Sequence, residues 1–274
     1  MAGSDWFTPD TTYVGGLAVL LLLLAIEHVR YPARFALRDT LTNLFLYAGY
    51  VVVGALWLGM LYAIYRWAWD PRLFDLGPYW LDPAHPRFWM TWGALLVLED
   101  LCFYWFHRAS HRWPLYWASH VTHHSSPFFN YSTALRQSWI PFHVFVFWLP
   151  LPFLGFDPLM VMTMTLANLF FQSLQHTTFT GLPRWYTYIF NAPEHHRVHH
   201  ASNPELVDRN FGGIFIVWDR LVGAFARGCG AREPIRFGSV PTPPSLSAFW
   251  LEIHGWVDFL SHLRARKRLR REEP

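Results

Sequence analysis

The feature that most constrains the fold is a long apolar run in the first quarter of the chain. Residues 44–64 read LFLYAGYVVVGALWLGMLYAI and contain no charged side chain. A helix that crosses the hydrocarbon core of a bilayer needs roughly 20 apolar residues, because each residue rises only about 1.5 Å. The whole chain is 53% hydrophobic and only 15% charged, which is unusual for a soluble domain. We therefore predict an all-α membrane protein built around this helix.

Three further apolar segments extend the prediction to a multi-pass helical bundle. Residues 13–26 suit a first span, and residues 1–10 lack the positive region of a removable signal peptide. Residues 88–106 suit a third span, although they include two acidic side chains. The apolar run 139–171 is interrupted by PLPFLGFDP, whose prolines and glycine break helices, so it predicts a hairpin of two antiparallel helices. We expect about three spans plus this hairpin, which crosses the bilayer fully or in part.

The distribution of arginine and lysine predicts the orientation of these spans, because cytoplasmic loops carry an excess of both. The loop after the first span carries Arg30, Arg34 and Arg38, whereas positive and negative residues balance in the loop after the second. The C-terminal RARKRLRREEP is strongly basic. We therefore expect the N-terminus outside, and the later polar regions and the C-terminus in the cytoplasm.

The C-terminal segment that follows PTPP is predicted to form an amphipathic basic helix, with Ser245 as its N-cap. One face repeats at helical spacing: Phe249, Ile253, Trp256, Leu260 and Leu263. An aromatic face with a basic end is typical of a helix that lies on an anionic membrane surface. The alternative is a helix packed on the rest of the cytoplasmic domain, and the two are compatible.

Histidines gather in three motifs, HRASH, HVTHH and HRVHH, within a chain that has 15 histidines. Residues three and four apart lie on one face of a helix, so each motif presents its ring nitrogens to one side. Neutral imidazole is the commonest metal ligand, and one zinc ion takes only three or four protein ligands, so this number favours two ions. Imidazole suits iron, copper, zinc and nickel, so the metal stays open. The clustered residues are His107, His111, His120, His123, His124, His196, His199 and His200.

Polar residues near these motifs are candidates for contacts behind the ligands. Asp100 precedes His107 by seven residues, two turns along the same helix face. A carboxylate that accepts a hydrogen bond from the other ring N–H of a ligand would orient that ligand. Otherwise Asp100 merely lies near the membrane–water interface. His195 and Asn210 are further candidates of this kind.

The order HxxxH, HxxHH and a distant HxxHH, with membrane helices around them, resembles the fatty acid hydroxylase/sterol desaturase superfamily of membrane di-iron enzymes. The resemblance covers about residues 95–225. The runs DLCFYWFHRASH, THHSSPFFNYSTALRQS and NAPEHHRVHHASN resemble the alkylglycerol monooxygenase branch. The resemblance to this superfamily implies two iron ions held by a cytoplasmic histidine-rich helical cap. It also implies ligands near the end of the hairpin, where His176 matches and Gln172 stands where some members have histidine. We therefore expect His176 to be a ligand and Gln172 to lie behind the ligands, because an amide oxygen binds metal more weakly than imidazole.

The resemblance further implies an O₂-dependent enzyme that hydroxylates or desaturates an unactivated C–H bond of a sterol, fatty acyl or alkyl-glycerol lipid. We expect no catalytic residue apart from the metal ligands. The chain has no HPGG-type haem motif and no nucleotide-binding glycine fingerprint, so electrons must come from outside. The branch implies tetrahydrobiopterin, and a cytochrome or ferredoxin partner is the alternative. We expect no nucleic-acid partner.

A metal-binding transporter or sensor is the rival interpretation. Transporters place polar ligands near the bilayer midplane, whereas these histidines follow the spans and lie on one side, which favours the enzyme. The expected organisation has N-terminal transmembrane helices at 1–94, a di-iron domain at 95–225, and a linker with an amphipathic basic helix at 226–274.

Overall fold

The computed structural model describes residues 9–140, 143–228, 234–240, 243, 245 and 247–272. The α-helices of these residues are α1 (Pro9–Arg30), α2 (Leu37–Trp69), α3 (Phe88–Arg112), α4 (Pro114–His124), α5 (Pro150–Leu154), α6 (Pro158–Ser173), α7 (Arg184–Ile189), α8 (Pro193–His199), α9 (Val217–Val222) and α10 (Ala248–Glu272). Short 3₁₀ turns lie at Pro32–Arg34, Gly77–Leu81, Tyr131–Leu135 and Val144–Phe147. Across the described residues there are isolated β-bridges but no β-strand, so the all-α prediction is confirmed there. Residues 1–8, which carry most of the signal-peptide argument, and residues 229–233 of the predicted linker lie outside the described residues.

Helix α2 contains the predicted span 44–64 and continues beyond it at both ends. Among the described residues it is the one helix long and apolar enough to cross a membrane. Only 6% of its most apolar window is buried. The core helix of a soluble protein would be mostly buried, so this exposure favours a lipid-facing helix.

The first arm of the predicted hairpin differs from a helix. It consists of the 3₁₀ turn Val144–Phe147 and the five-residue α5, whereas the second arm is the 16-residue α6. Pro150 and Pro152 explain the short first arm, because proline lacks the N–H that a continuing helix needs. Gly155 ends α5 with φ of 118°, so the predicted break is where the sequence places it. At about 1.5 Å per residue, α6 rises about 24 Å, which is less than the roughly 30 Å of the hydrocarbon core.

Helix α3 connects the apolar core to the histidine-rich end of the molecule. Its Leu95 and Phe103 are buried with Trp148 and Met160 in the largest apolar cluster. The last turns of the same helix carry His107 and then His111, beyond the apolar run. A single rigid helix therefore links the predicted membrane region to the candidate ligands.

A buried ion pair ties the start of α2 to the polar end of the molecule. The Arg136 guanidinium is fully buried and donates to Asp39 at 2.9 Å and to Asn43 at 2.7 Å. Removing one partner of such a pair leaves an uncompensated buried charge. The pair therefore holds α2 against the turn at Tyr131–Leu135 that precedes Arg136.

Helix α10 packs on α4 through very close backbone contact. Thr122 in α4 donates its hydroxyl to the carbonyl of Leu251 at 2.8 Å. Gly255 lies so near that an added Cβ would collide with the carbonyl oxygen of Ala118. Ser247, two residues later than the predicted cap Ser245, accepts the N–H of Trp250 at 3.3 Å and caps the helix. One face of α10 therefore packs on the rest of the protein, as the alternative prediction for this segment stated.

We predict that Gly255→Ala destabilises the protein by about 1–3 kcal/mol, because the new methyl group must push α10 away from α4. Gly59→Ala in α2 is the matched control, since a Cβ there meets nothing within 4 Å. That change should be neutral or stabilise by up to about 1 kcal/mol through helix propensity. Melting temperatures of both variants in detergent test this, and an equal effect of the two changes would contradict it.

Candidate metal centre

The structure brings all nine candidate ligands together in two adjacent groups. In each group the facing ligand atoms lie within 4.8 Å of one another. Group 1 contains His107, His111, His120, His124 and His199. Group 2 contains His123, His176, His196 and His200. The isolated histidines His28, His85, His143, His254 and His262 belong to neither group.

Each HxxHH motif divides its histidines between the two groups. In α4, His120 and His124 share group 1 while His123 faces group 2. At α8 the division is reversed, because His196 and His200 share group 2 while His199 faces group 1. The rings of His124 and His200 stack 4.3 Å apart where the groups meet. The two groups therefore form one continuous site built from both motifs.

Backbone carbonyls fix the tautomers of four ligands. The Nδ1 atoms of these rings lie 2.8–3.1 Å from carbonyl oxygens, in the pairs His107–Phe211, His123–Arg136, His176–Gln172 and His199–Arg209. A carbonyl can only accept a hydrogen bond, so each Nδ1 carries the proton. Each Nε2 of these four rings is therefore unprotonated, with a lone pair available to a metal.

The Nε2 atoms of His123 and His176 face each other at 3.2 Å. Both rings hold their proton on Nδ1, so no proton lies between the two lone pairs and no hydrogen bond can form. Two nitrogens on one metal at about 2.1 Å would lie roughly 3.0–3.4 Å apart for octahedral or tetrahedral angles. The spacing therefore fits a cation shared by the two rings.

Other pairs of ring nitrogens in the site lie at the same distance. Nε2 pairs lie 3.1–3.2 Å apart between His107 and His120, His120 and His124, His176 and His196, and His196 and His200. The buried Nε2 atoms of His111 and His199 have no hydrogen-bond partner. Buried polar atoms are rarely left without a partner, and a metal in group 1 would provide one for both. The donor set therefore fits metal ions.

Burial keeps the nine imidazoles neutral. It is the largest cause that lowers the pKa of every one of them, and it lowers the pKa of His123 to about 4. Asp208 acts against this at His111, whose Nδ1 lies 3.4 Å from the carboxylate, but burial is the stronger effect. Only neutral imidazole can ligate a metal, so the site is prepared for one at neutral pH.

Asp100 does not contact a ligand ring, so the predicted hydrogen bond from it to a histidine is wrong. Seven helical residues rise about 10 Å, too far for direct contact with His107. The carboxylate instead accepts the backbone N–H groups of Ile214 and Phe215 at 2.6 and 3.0 Å, and the Trp218 indole at 2.8 Å. Asp100 therefore holds the loop that includes Phe211, and Phe211 supplies the carbonyl to His107.

Asp219 holds the same loop from its other end, which the sequence reasoning missed. Its two oxygens each accept a backbone N–H at 2.8 Å, from Phe211 and from Gly212. The side chain is fully buried, and burial raises its pKa to about 6. Residues 214–225, IFIVWDRLVGAF, contain this aspartate, but only the folded loop shows what it binds.

Three more residues were candidates for contacts behind the ligands: Gln172, Asn210 and His195. The amide of Gln172 donates to Asn168 at 2.9 Å, and its backbone carbonyl orients His176. Asn210 donates to the backbone carbonyls of His195 and Ala226 at 3.1 and 2.8 Å, so it fixes the start of α8. The ring of His195 packs on Phe225 at 5.3 Å and belongs to neither group.

A cleft of about 250 Å³ opens beside group 1. Trp117, Val207, Asp208 and Ser239 line it together with His111 and other residues of the site. Aromatic rings lie elsewhere around the histidines, since Phe103 lies 5.2 Å from His107 and Phe129 stacks 5.6 Å from His176. The cleft therefore gives small molecules a route to histidines that are otherwise enclosed by apolar groups.

The described residues are helical and combine one membrane-length helix with a largely buried group of nine histidines that could hold metal. These features fit a metal-binding membrane protein. Residues 92–224 match the model of the Fatty acid hydroxylase family, so this part of the chain belongs to that family. The resemblance inferred from the histidine motifs is thereby confirmed. Members of this family use iron, and the histidine groups described above can bind metal.

Proteins similar to this chain include alkylglycerol monooxygenases. The chain is 33% identical to that of Xenopus tropicalis over 255 residues, which are 92% of this chain and 54% of that protein. It is 32% identical to that of Caenorhabditis elegans over 230 residues, which are 83% of this chain and 43% of that protein. Lathosterol oxidase of Rattus norvegicus is 31% identical over 140 residues, which are 48% of this chain and 44% of that protein. The chain thus spans about half or less of the length of these relatives, and no solved structure matches it.

We predict that Asp219→Ala lowers metal affinity by about 10- to 100-fold, because losing both acceptors releases Phe211 and with it the orientation of His107. Asp258→Ala, at an exposed aspartate of α10, is the control and should bind metal normally. Metal per chain, measured by mass spectrometry over a range of free metal, tests this. Normal affinity in a correctly folded Asp219→Ala protein would contradict it.

Proposed function

We propose that the chain is a di-iron oxygenase that hydroxylates or desaturates an unactivated C–H bond of a lipid. The family match and the alkylglycerol monooxygenase and lathosterol oxidase relatives support the reaction class and the lipid substrate. The relatives that cover most of the chain favour a substrate of the alkyl-glycerol type. When bound, iron would supply O₂ activation and hydrogen abstraction.

The observation that carries this proposal is the pair of unprotonated Nε2 atoms on His123 and His176, 3.2 Å apart. Uncharged lone pairs in such contact need a cation, and the same spacing recurs in group 1. We assign one ion to each group. Group 1 supplies five imidazoles and group 2 supplies four, so each group has enough donors to hold one ion.

The chain's own residues prepare the site in two ways. The carbonyls of Phe211, Arg136, Gln172 and Arg209 and the Asp208 carboxylate hold the rings of five ligands. The aromatic rings of Phe103, Phe129 and Phe211 border the histidines and exclude water. A dry, preorganised site protects a strong oxidant from side reactions.

An external reductant supplies the electrons in this proposal. The cleft beside His111 and Trp117 is where such a donor would approach group 1. A reduced pterin such as tetrahydrobiopterin is the first candidate, because the relatives include alkylglycerol monooxygenases. A cytochrome or ferredoxin partner is the alternative.

We assign three parts to the chain: transmembrane helices at 1–94, the di-iron domain at 95–225, and a linker with a basic helix at 226–274. α1, α2 and residues 88–106 of α3 are the proposed spans, with the segment from Val144 to Ser173 as an incomplete hairpin. The arginine bias of the first loop supports a cytoplasmic histidine site.

The decisive test combines metal analysis with a reaction. Purified protein loaded with iron should hold two irons per chain and consume O₂ when given an alkyl-glycerol and a reduced pterin. Mass spectrometry should show a lipid that has gained one oxygen atom, or lost two hydrogens if the outcome is desaturation. A metal transporter would instead bind the ion loosely and carry it across a vesicle membrane without consuming O₂.

We predict that His123→Ala loses the iron of group 2 and abolishes turnover, because His123 faces His176 directly. His262→Ala is the matched control, since His262 is an exposed histidine of α10 whose Nδ1 donates to the Asp258 carbonyl. It should keep wild-type iron and turnover. Iron per chain and lipid turnover, measured side by side, decide the matter, and equal losses in both variants would refute the ligand assignment.

We predict that a membrane-impermeant thiol reagent applied to intact cells labels Asp75→Cys but not Glu205→Cys. Asp75 lies in the exposed loop after α2, and Glu205 lies in the exposed loop after the third histidine motif. Both variants are made in a background without the two natural cysteines. Permeabilised cells should give labelling of both, and the reverse pattern in intact cells would overturn the proposed orientation.

A further inference from the structure

Helix α10 has one buried side and, opposite to it, a row of exposed apolar side chains. One side faces α4 through Leu251 and Gly255, which are buried. The other side, named here the outer stripe, consists of Phe249, Ile253, Val257 and Leu260, which are 66%, 48%, 45% and 50% exposed. With about 100° between successive residues, the outer stripe points nearly opposite to the buried side.

The position of the outer stripe is set by contacts with α2. The rings of Phe249 and Phe45 lie 5.7 Å apart, and Trp139 packs against both at 5.9 and 5.8 Å. Trp139 also donates its indole N–H to the Leu46 carbonyl at 2.8 Å. Phe45 is the second residue of the uncharged run 44–64, so it marks the point where the membrane-length helix enters its apolar section. The outer stripe therefore starts at the level of the membrane–water interface.

Positive charge lies at both ends of the outer stripe. An open groove of about 500 Å³ lies between α2 and the start of α10, where Arg38 accompanies Leu37, Leu41 and Phe45. Arg264 continues along the same side of α10 after Leu260, at the next helical turn. The sequence that follows, ARKRLRR, is strongly basic. Apolar side chains flanked by arginine and lysine match the chemistry of an anionic lipid surface.

We propose that α10 lies in the interface of an anionic bilayer, with the outer stripe among the acyl chains and the surrounding arginines at the phosphates. The opposite side of the helix stays on α4, which carries His120, His123 and His124. α10 is then the layer between the membrane surface and the ligand helix. This arrangement accounts for the exposed apolar side chains, which α4 cannot cover because they point away from it.

The test places single nitroxide labels on the full-length protein in nanodiscs. Labels replace Ile253 or Leu260 on the outer stripe, and Asp258 or Ser261 on the polar flank serve as controls one or two residues away. The two stripe labels should be several-fold more accessible to O₂, which concentrates in lipid, than to a water-soluble nickel complex. The two control labels should show the opposite preference. The contrast should be larger in phosphatidylcholine mixed with phosphatidylserine than in phosphatidylcholine alone.

Two variants sharpen the test by adding the same charge at adjacent positions. Leu260→Glu should move a label at Ile253 into water, whereas Ser261→Glu should leave it in lipid, because Ser261 points to the flank. Melting temperatures should stay close to wild type, since both side chains are exposed.

Three outcomes would overturn the proposal. Equal access of the nickel complex to all four labels would mean that the outer stripe faces water. Magnetic broadening between stripe labels of two molecules would mean that a second copy covers it. If the difference in accessibility between stripe and control labels is the same with and without phosphatidylserine, the helix does not recognise anionic lipid. None of these readouts depends on iron or turnover, so they stand apart from the test of the oxygenase.

Discussion

The arrangement of the folded chain depends on neutral imidazoles whose lone pairs converge in a buried space. His123 and His176 present unprotonated nitrogens to each other at 3.2 Å, and several other ligands meet at nearly the same distance. This contact is unfavourable without a cation, because neither ring has a proton to donate there. A protein can hold such a site together only if its surroundings fix each ring in place. Much of the polar interior of this chain serves that purpose.

The imidazole rings are held in place indirectly, through the backbone. Carbonyls accept the outer ring N–H groups, and buried carboxylates in turn hold the loops that carry those carbonyls. Asp100 and Asp219 hold the loop of Phe211, while the ion pair between Asp39 and Arg136 holds the residue whose carbonyl orients His123. Contacts behind metal ligands set their orientation and basicity, so these acids matter to the site without touching it. Asp39 lies on α2, which links the membrane-length helix to the ligand geometry.

Two of the histidine motifs have the same spacing but opposite assignments. The HVTHH motif gives two histidines to group 1 and one to group 2, and HRVHH does the reverse. Helical spacing alone requires that the first and last histidines of each motif share a direction, since they are four apart. It does not say which of the two groups they face. That choice depends on how α8 packs against α3 and α4, and it makes the two groups parts of one site.

The sequence by itself determined the helical class, the membrane-length helix and the eight histidines of the three motifs, because helical periodicity and an uncharged apolar run are local properties of the chain. His176 lies outside those motifs, and only the family resemblance indicated it. The break at Gly155 was also local. The first hairpin arm was misjudged because an apolar composition does not reveal how strongly Pro150 and Pro152 resist a helix. Only the tertiary structure decided that Asp100 holds a loop rather than a histidine, and that Asp219 joins it, since their partners lie far away along the chain or in an irregular loop. Hydrogen bonds of that kind depend on which segments meet in space, and no local pattern encodes them.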